Sequence, residues 1–183
     1  ISTYGTVSVR WKENNFLITP PHVVRWDITP EDIVQIKGGK AEAHKTPSRS
    51  MYLHQKIYKD NPHINSIIST QPPNLLAFAT TGVKFDVRTI PESWIFLQDV
   101  PCLPFGAQFR GEDIIPEMLS ESMPSVLIAN DCFLVTGDEL LQTFDRLEVA
   151  EFSAKSLVMA APMGKLEPIN EDQIEALRKK FLG

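Results

Sequence analysis

Cysteine, basic charge and long apolar runs are all scarce in this chain, and each shortage closes off a class of function. Lys and Arg number 18 against 23 Asp and Glu, for a formal net charge of −5. With no basic stripe, nothing points to nucleic acid as a partner. The two cysteines, Cys102 and Cys132, fit neither a metal-knuckle spacing nor a disulfide framework, so two buried, reduced thiols in a cytoplasmic protein are expected. Apolar runs are too short to span a bilayer, so no membrane partner is expected. The opening ISTYGTVSVRW has neither the basic start nor the long apolar stretch of a signal peptide. Internal repeats and low-complexity segments are missing as well. What remains is a chain of 183 residues, 43% hydrophobic, enough for one sizeable core. A single domain over residues 1–183 is expected. The stretch 162–168 is its only hinge, leading into a tail helix within 162–183.

The elements can be read in order. Residues 6–19 alternate, turn at Lys12-Glu13-Asn14-Asn15 and return, which predicts a β-hairpin. Thr29-Pro30-Glu31-Asp32 is a capped helical turn that delivers a strand over 33–36, and Gly38-Gly39 turns it back. From Thr46 to Gln71 the sequence predicts a loop, a helix, a tight turn and a buried strand. Pro47-Ser48 supplies the start signal. Met51, His54, Ile57 and Tyr58 recur at helical spacing, which turns one face inward, and Asn61-Pro62 stops the helix. The strand follows over 64–70. Residues 72–80 predict a short helix, 84–91 a loop, and 92–100 fit either a helix or a strand. An extended segment at 101–105, a helix over about 112–121, strands at 125–130 and 133–136, and a long helix over 139–160 capped by Gly137-Asp138 complete the body. Asn170 with Gln173 forms a capping box for the last helix, residues 171–181.

The block at 46–71 carries more than structure. Pro47-Ser48, His54, Tyr58, Pro62 and Ile67-Ile68, together with the TPEDIV segment and Leu103-Pro104-Phe105-Gly106, resemble in order and spacing the L-fuculose-phosphate-aldolase-like domains of the class II aldolase/adducin family. The likeness runs over about residues 5–160. It implies a layered α/β/α domain with a central, mostly antiparallel sheet; the family's helix before the hairpin is expected either to be missing or to lie ahead of Ile1. In the family's aldolases a glutamate follows the Pro-Ser pair, the strand ends in His-x-His, and a third zinc-binding histidine follows an asparagine. Carried over, these positions fall on Ser50 (or Arg49, if the loop slips by one), Ser69, Gln71 and Asp131. The frame is present and the zinc ligands are replaced. The family's phosphate contacts fall on Gly5, Thr6 and Ser8 in the hairpin, and Ser48 and Arg49 lie at the helix start, where a guanidinium and helix N–H groups suit an anion.

Zinc binding calls for three or four nitrogen, sulfur or carboxylate donors, and serine hydroxyls and a glutamine amide are poor substitutes. No cofactor and no catalytic residue are therefore assigned. The expected function is a family member that has lost metal-dependent aldol chemistry and acts as a binding or assembly module, as the adducin branch suggests. The alternative is a sugar-phosphate aldolase- or epimerase-type lyase with a rearranged metal site, and a third reading is a sensor of small anions. Expected partners are a small anionic or phosphorylated ligand and other copies of the chain, since the resembled family forms tetramers. Trp26, Trp94, Phe96, Phe105 and Phe109, in or beside irregular segments, are the candidate interface aromatics. Asp131, the one charged survivor of the ligand set, is expected to pair with Arg49 or another cation.

Overall fold

The computed structural model describes residues 3–109 and 113–182. The opening hairpin forms as β1 (Thr6–Lys12) and β2 (Asn15–Ile18). The capped turn at Pro30–Asp32 follows, with Asp32 Oδ2 accepting from both the Thr29 N–H and its hydroxyl at 2.9 Å. It leads into β3 (Val34–Lys37) and β4 (Lys40–Ala41). Helix α1 (Met51–Asp60) turns Met51, His54, Ile57 and Tyr58 inward, the face expected from their spacing. Strand β5 (Ser66–Thr70) runs up the middle. It is followed by α2 (Pro73–Thr81), α3 (Pro91–Leu97), β6 (Cys102–Leu103) and α4 (Ile114–Met118). Strands β7 (Ser125–Ile128) and β8 (Cys132–Gly137) precede α5 (Leu140–Ala160) and α6 (Glu171–Phe181).

Among the described residues the strands form one eight-stranded sheet in the order β4-β3-β2-β1-β5-β8-β7-β6. Every neighbouring pair is antiparallel except β6 and β7. Successive side chains of a strand point to opposite faces, and that alternation builds two cores. Ile67 faces α1 and α4 together with Phe16, Ile36, Tyr58, Val126 and Leu134. Its neighbour Ile68 faces α2, α3, α5 and α6 together with Leu75, Trp94, Leu127, Phe133 and Val135. Helices thus cover both faces of a mostly antiparallel sheet, the architecture expected from the sequence.

Several expectations change. Of residues 92–100, the stretch up to Leu97 is settled as helix, with Pro91 at its first position, where a missing N–H is harmless; Gln98 ends it with a φ of +54. Of the helix expected over 112–121, residue 112 lies outside the described residues; the helix observed runs over Ile114–Met118 and stops there, because Ser120 and Met123 form an isolated bridge that turns the chain. The long helix is not capped by Gly137-Asp138. Gly137 belongs to β8 and Glu139 is the N-cap, with no side-chain bond of its own. The start signal of α1 is also displaced: Ser50 is the N-cap, while the Ser48 hydroxyl accepts the Ser50 N–H at 3.3 Å. Cys132 is buried, but Cys102 is exposed, because it lies on the edge strand. Trp94 is core, at 5% exposure, whereas Trp26, Phe105 and Phe109 are well exposed. The α5 surface that meets the sheet is made of small residues, Thr143, Ala150, Ser153 and Ala154. Its large apolar side chains Leu141, Phe144 and Phe152 point outward.

Candidate functional site

Where β1 begins, β5 ends and α1 starts, the chain encloses a cleft of about 510 Å3. Strand pairing sets one wall. Thr6 lies opposite Ser69, and Gly5 takes φ +91 with its Cα so close to β5 that an added Cβ would stand 3.1 Å from the Ser69 carbonyl oxygen. The other wall is the approach to α1. The Ser48 and Thr6 hydroxyls share a buried 2.7 Å hydrogen bond, and the Ser48 N–H donates to the Thr19 carbonyl at 3.3 Å. Through these bonds the helix start is held against the hairpin.

The four positions Ser50, Ser69, Gln71 and Asp131 all line this cleft, as do Gly5, Thr6, Ser48 and Arg49. Ser8 does not. Its side chain is 1% exposed, and its hydroxyl sits 2.7 Å from both His54 Nδ1 and the Tyr58 hydroxyl, inside the core beneath α1. Burial pushes the His54 imidazole down to about 3, so it is neutral, and it holds the Tyr58 phenol well above its ordinary value. This trio is a packing device without access to a ligand.

Asp131 reaches the cleft through the β7–β8 turn, in which Asn130 takes a left-handed φ of +54. Its carboxylate is not paired with Arg49 as expected. The Gln108 amide donates to Asp131 Oδ2 instead, and Gln71 Nε2 donates to the Asp131 carbonyl at 3.2 Å. Gln71 Oε1 is buried with no partner among the described residues. Beside them the Ser69 hydroxyl donates to Cys132 Sγ at 3.5 Å, and burial pushes that thiol up to about 12, which keeps it protonated and a poor ligand.

This donor set does not fit a zinc ion. It offers two serine hydroxyls, one amide, a protonated thiol and a single carboxylate already bound by an amide. No cluster of three or more His, Cys, Asp or Glu side chains among the described residues could hold a metal. His22 lines the cleft, but His54 is sealed in the core and His63 borders a different cavity.

The charge of the cleft is its other feature. Arg25 and Arg49 both line it, and neither forms an ion pair among the described residues. Sequence reasoning missed Arg25. Its guanidinium donates to the carbonyls of Thr3, Tyr4, Gly5, Pro20 and Val23 at 2.7–3.4 Å, tying the entry to β1 to the loop after β2. Burial lowers its pKa, but an arginine stays charged at neutral pH. Arg49 stands exposed at the approach to α1.

Comparison with known proteins gives the family of this layered α/β/α domain. Residues 1–158 match the family described as Class II Aldolase and Adducin N-terminal domain, and the chain belongs to it. It is 29% identical to the L-fuculose phosphate aldolase of Methanococcus vannielii, over 85% of this chain and 84% of that protein. It is 25% identical to the 5-deoxy-D-ribulose 1-phosphate aldolase of Bacillus thuringiensis serovar kurstaki, over 99% of this chain and 86% of that one. Among solved structures it superposes on an L-fuculose 1-phosphate aldolase with a TM-score of 0.84 at 23% identity, covering 100% of this chain and 87% of that one.

Proposed function

We propose that this domain binds a small phosphorylated, sugar-like molecule in the cleft. The observation that carries the reading is electrostatic. In a chain of net charge −5, the cleft gathers, among the described residues, two guanidiniums without ion pairs against the single carboxylate of Asp131. Arg49 at the approach to α1, with the Ser48 and Thr6 hydroxyls beside it, is the place for the phosphate. The polar run of Ser69, Gln71 and Asp131 is the place for hydroxyl and carbonyl groups. Gln71 Oε1, buried without a partner among the described residues, is an acceptor that a ligand hydroxyl would satisfy.

The donor chemistry supports binding without a zinc centre, as a metal-free ligand-binding or assembly module. The relatives named above, aldolases of sugar phosphates, favour the second reading: a sugar-phosphate aldolase- or epimerase-type lyase. For this chain that reading needs acid–base or metal donors other than an imidazole set. Assembly into homo-oligomers accompanies either reading and is supported by the exposed aromatics Trp26, Phe105 and Phe109.

Thermal-shift titration with a panel of sugar phosphates, the matching free sugars and inorganic phosphate tests the binding. A ligand at about 100 times its dissociation constant adds about 2.7 kcal/mol, a shift of several degrees. No shift with any phosphorylated compound would sink the proposal. Metal analysis of the purified protein and an assay for carbon–carbon cleavage of the binding sugar phosphates separate the two readings. Turnover, with or without near-stoichiometric zinc, establishes the lyase.

A further inference from the structure

A second cavity lies away from the cleft and shares no residue with it. The C-terminal parts of α2 and α5 leave a groove of about 400 Å3 between them, and the segment after α5 lines another side through Gly164 and Leu166. Small side chains make the room: Ala77 on α2, with Ala160 and Ala161 at the end of α5. Behind them Phe78 packs on the buried Phe85, with ring centroids 5.3 Å apart, and Leu157 packs against the same core. Alanines on both helices leave the space that larger side chains would fill.

The polar side chains around this groove are committed, with one exception. The Thr81 hydroxyl donates to the Ala77 carbonyl at 2.7 Å and accepts the Val83 N–H at 3.4 Å. Among the described residues, Lys84 and Asp86 are the only charged side chains that line the groove. Asp86 is taken: Arg88 donates to both of its carboxylate oxygens at 3.1 Å, and those bonds hold its pKa below the ordinary carboxylate value. Lys84 is not. Its one ion pair among the described residues is with Asp99 at 3.9 Å, where the two side chains are 78% and 51% exposed, and a long, solvated pair of this kind contributes almost nothing. An apolar groove with one uncommitted ammonium at its rim selects by chemistry, since a few placed polar groups fix the orientation of a ligand whose bulk is apolar. A sugar would bring hydroxyls that find no partners on these walls. A peptide would bring main-chain N–H and C=O groups with the same defect. An aliphatic chain brings none, and an anionic head answers Lys84.

We propose that this groove is a binding site for a single-chain aliphatic carboxylate, with its hydrocarbon tail between α2 and α5 and its carboxylate at Lys84. The volume, about 400 Å3, stands near the lower end of the roughly 300–1,000 Å3 of small-molecule sites, which suits a medium-length chain.

Isothermal titration calorimetry of the whole chain tests tail and head separately. The probes are hexanoate, octanoate, 1-octanol and octyltrimethylammonium, each kept below its aggregation limit. Octanoate should bind one equivalent, and about tenfold more tightly than hexanoate, because two more methylenes leave water. 1-Octanol should bind about three- to fivefold more weakly than octanoate, the share of an exposed charge pair, and the ammonium compound more weakly still. Lys84→Gln should bring octanoate down to the level of 1-octanol, while Lys84→Arg keeps the parent affinity. Ala77→Leu should fill the groove and abolish binding of octanoate and 1-octanol alike, with circular dichroism to check its fold. Should that variant not fold, Ala161→Leu fills the same groove from the other helix. Absence of saturable octanoate binding overturns the proposal. So does 1-octanol or the ammonium compound binding as tightly as octanoate, an octanoate affinity that Lys84→Gln leaves unchanged, or a folded groove-filling variant that still binds like the parent.

Discussion

Acid weakens this fold through one buried ring. His54 is fully buried, its Nδ1 lies 2.7 Å from the Ser8 hydroxyl, and its Nε2 has no partner among the described residues. Desolvation takes its pKa from the ordinary 6.5 to about 3. A folded-state pKa below the unfolded one means that the unfolded chain takes up the proton first. The stability this group contributes is therefore complete above about pH 6.5 and is lost as pH falls toward 3. Between those limits one proton tilts the equilibrium by about 1.4 kcal/mol per pH unit, so lowering the pH from 6.5 to 4 removes about 3 kcal/mol. Carboxylates held low in the fold, such as Asp86 beside Arg88, add their own acid sensitivity. A His54→Gln variant, neutral at every pH, keeps that background and loses the imidazole contribution. Urea unfolding of both proteins at pH 7, 6, 5 and 4 measures the difference. At pH 7 the variant should be about 1–3 kcal/mol less stable, from lost packing and hydrogen bonding. At pH 4 that gap should have closed or reversed. A gap that stays constant within about 0.5 kcal/mol would refute the reasoning, because the folded protein would then hold His54 no differently from the unfolded chain.

Other outcomes follow from the cleft. Gly5→Ala forces a side chain into φ +91 and 3.1 Å from the Ser69 carbonyl, and should cost about 1–3 kcal/mol by urea unfolding. Arg49→Ala should raise the dissociation constant for the sugar phosphate found by thermal shift about tenfold, while the melting temperature of the free protein stays put. The fourfold exchange Ser50→Glu, Ser69→His, Gln71→His and Asp131→His supplies the donors a zinc ion takes. Competition against a chromophoric chelator should then show zinc affinity higher by several orders of magnitude. A folded variant with no gain would mean that these four side chains do not converge on one point.

Much of this was readable in the residues themselves, for local reasons. Asn170 and Gln173 cap α6 reciprocally at 3.0–3.1 Å, because a capping box needs only four consecutive residues. Ile67 and Ile68 feed opposite cores because a strand alternates. The meeting of Ser50, Ser69, Gln71 and Asp131 in one cleft was legible only through the family frame, since no periodicity links residues so far apart. The partner of Asp131 was not legible. Gln108 lies in an irregular segment, and its amide arrives by the packing of loops. Arg25 escaped for the same reason: its acceptors are main-chain carbonyls, and a carbonyl leaves no mark in a sequence. Cys102 was misjudged because exposure on an edge strand depends on which strand is last in the sheet.

The Arg25 clamp has a practical consequence for anyone handling the protein. Three of its acceptors, the carbonyls of Thr3, Tyr4 and Gly5, belong to the few residues ahead of the first strand. Trimming the chain to begin at Thr6 would leave every strand intact and yet strip a partly buried guanidinium of most of its acceptors at that end. The loop around Pro20 and Val23 would then lose its anchor, and the wall of the cleft with it. The three residues Thr3–Gly5, which belong to no strand, are in effect the hinge pin of the cleft mouth.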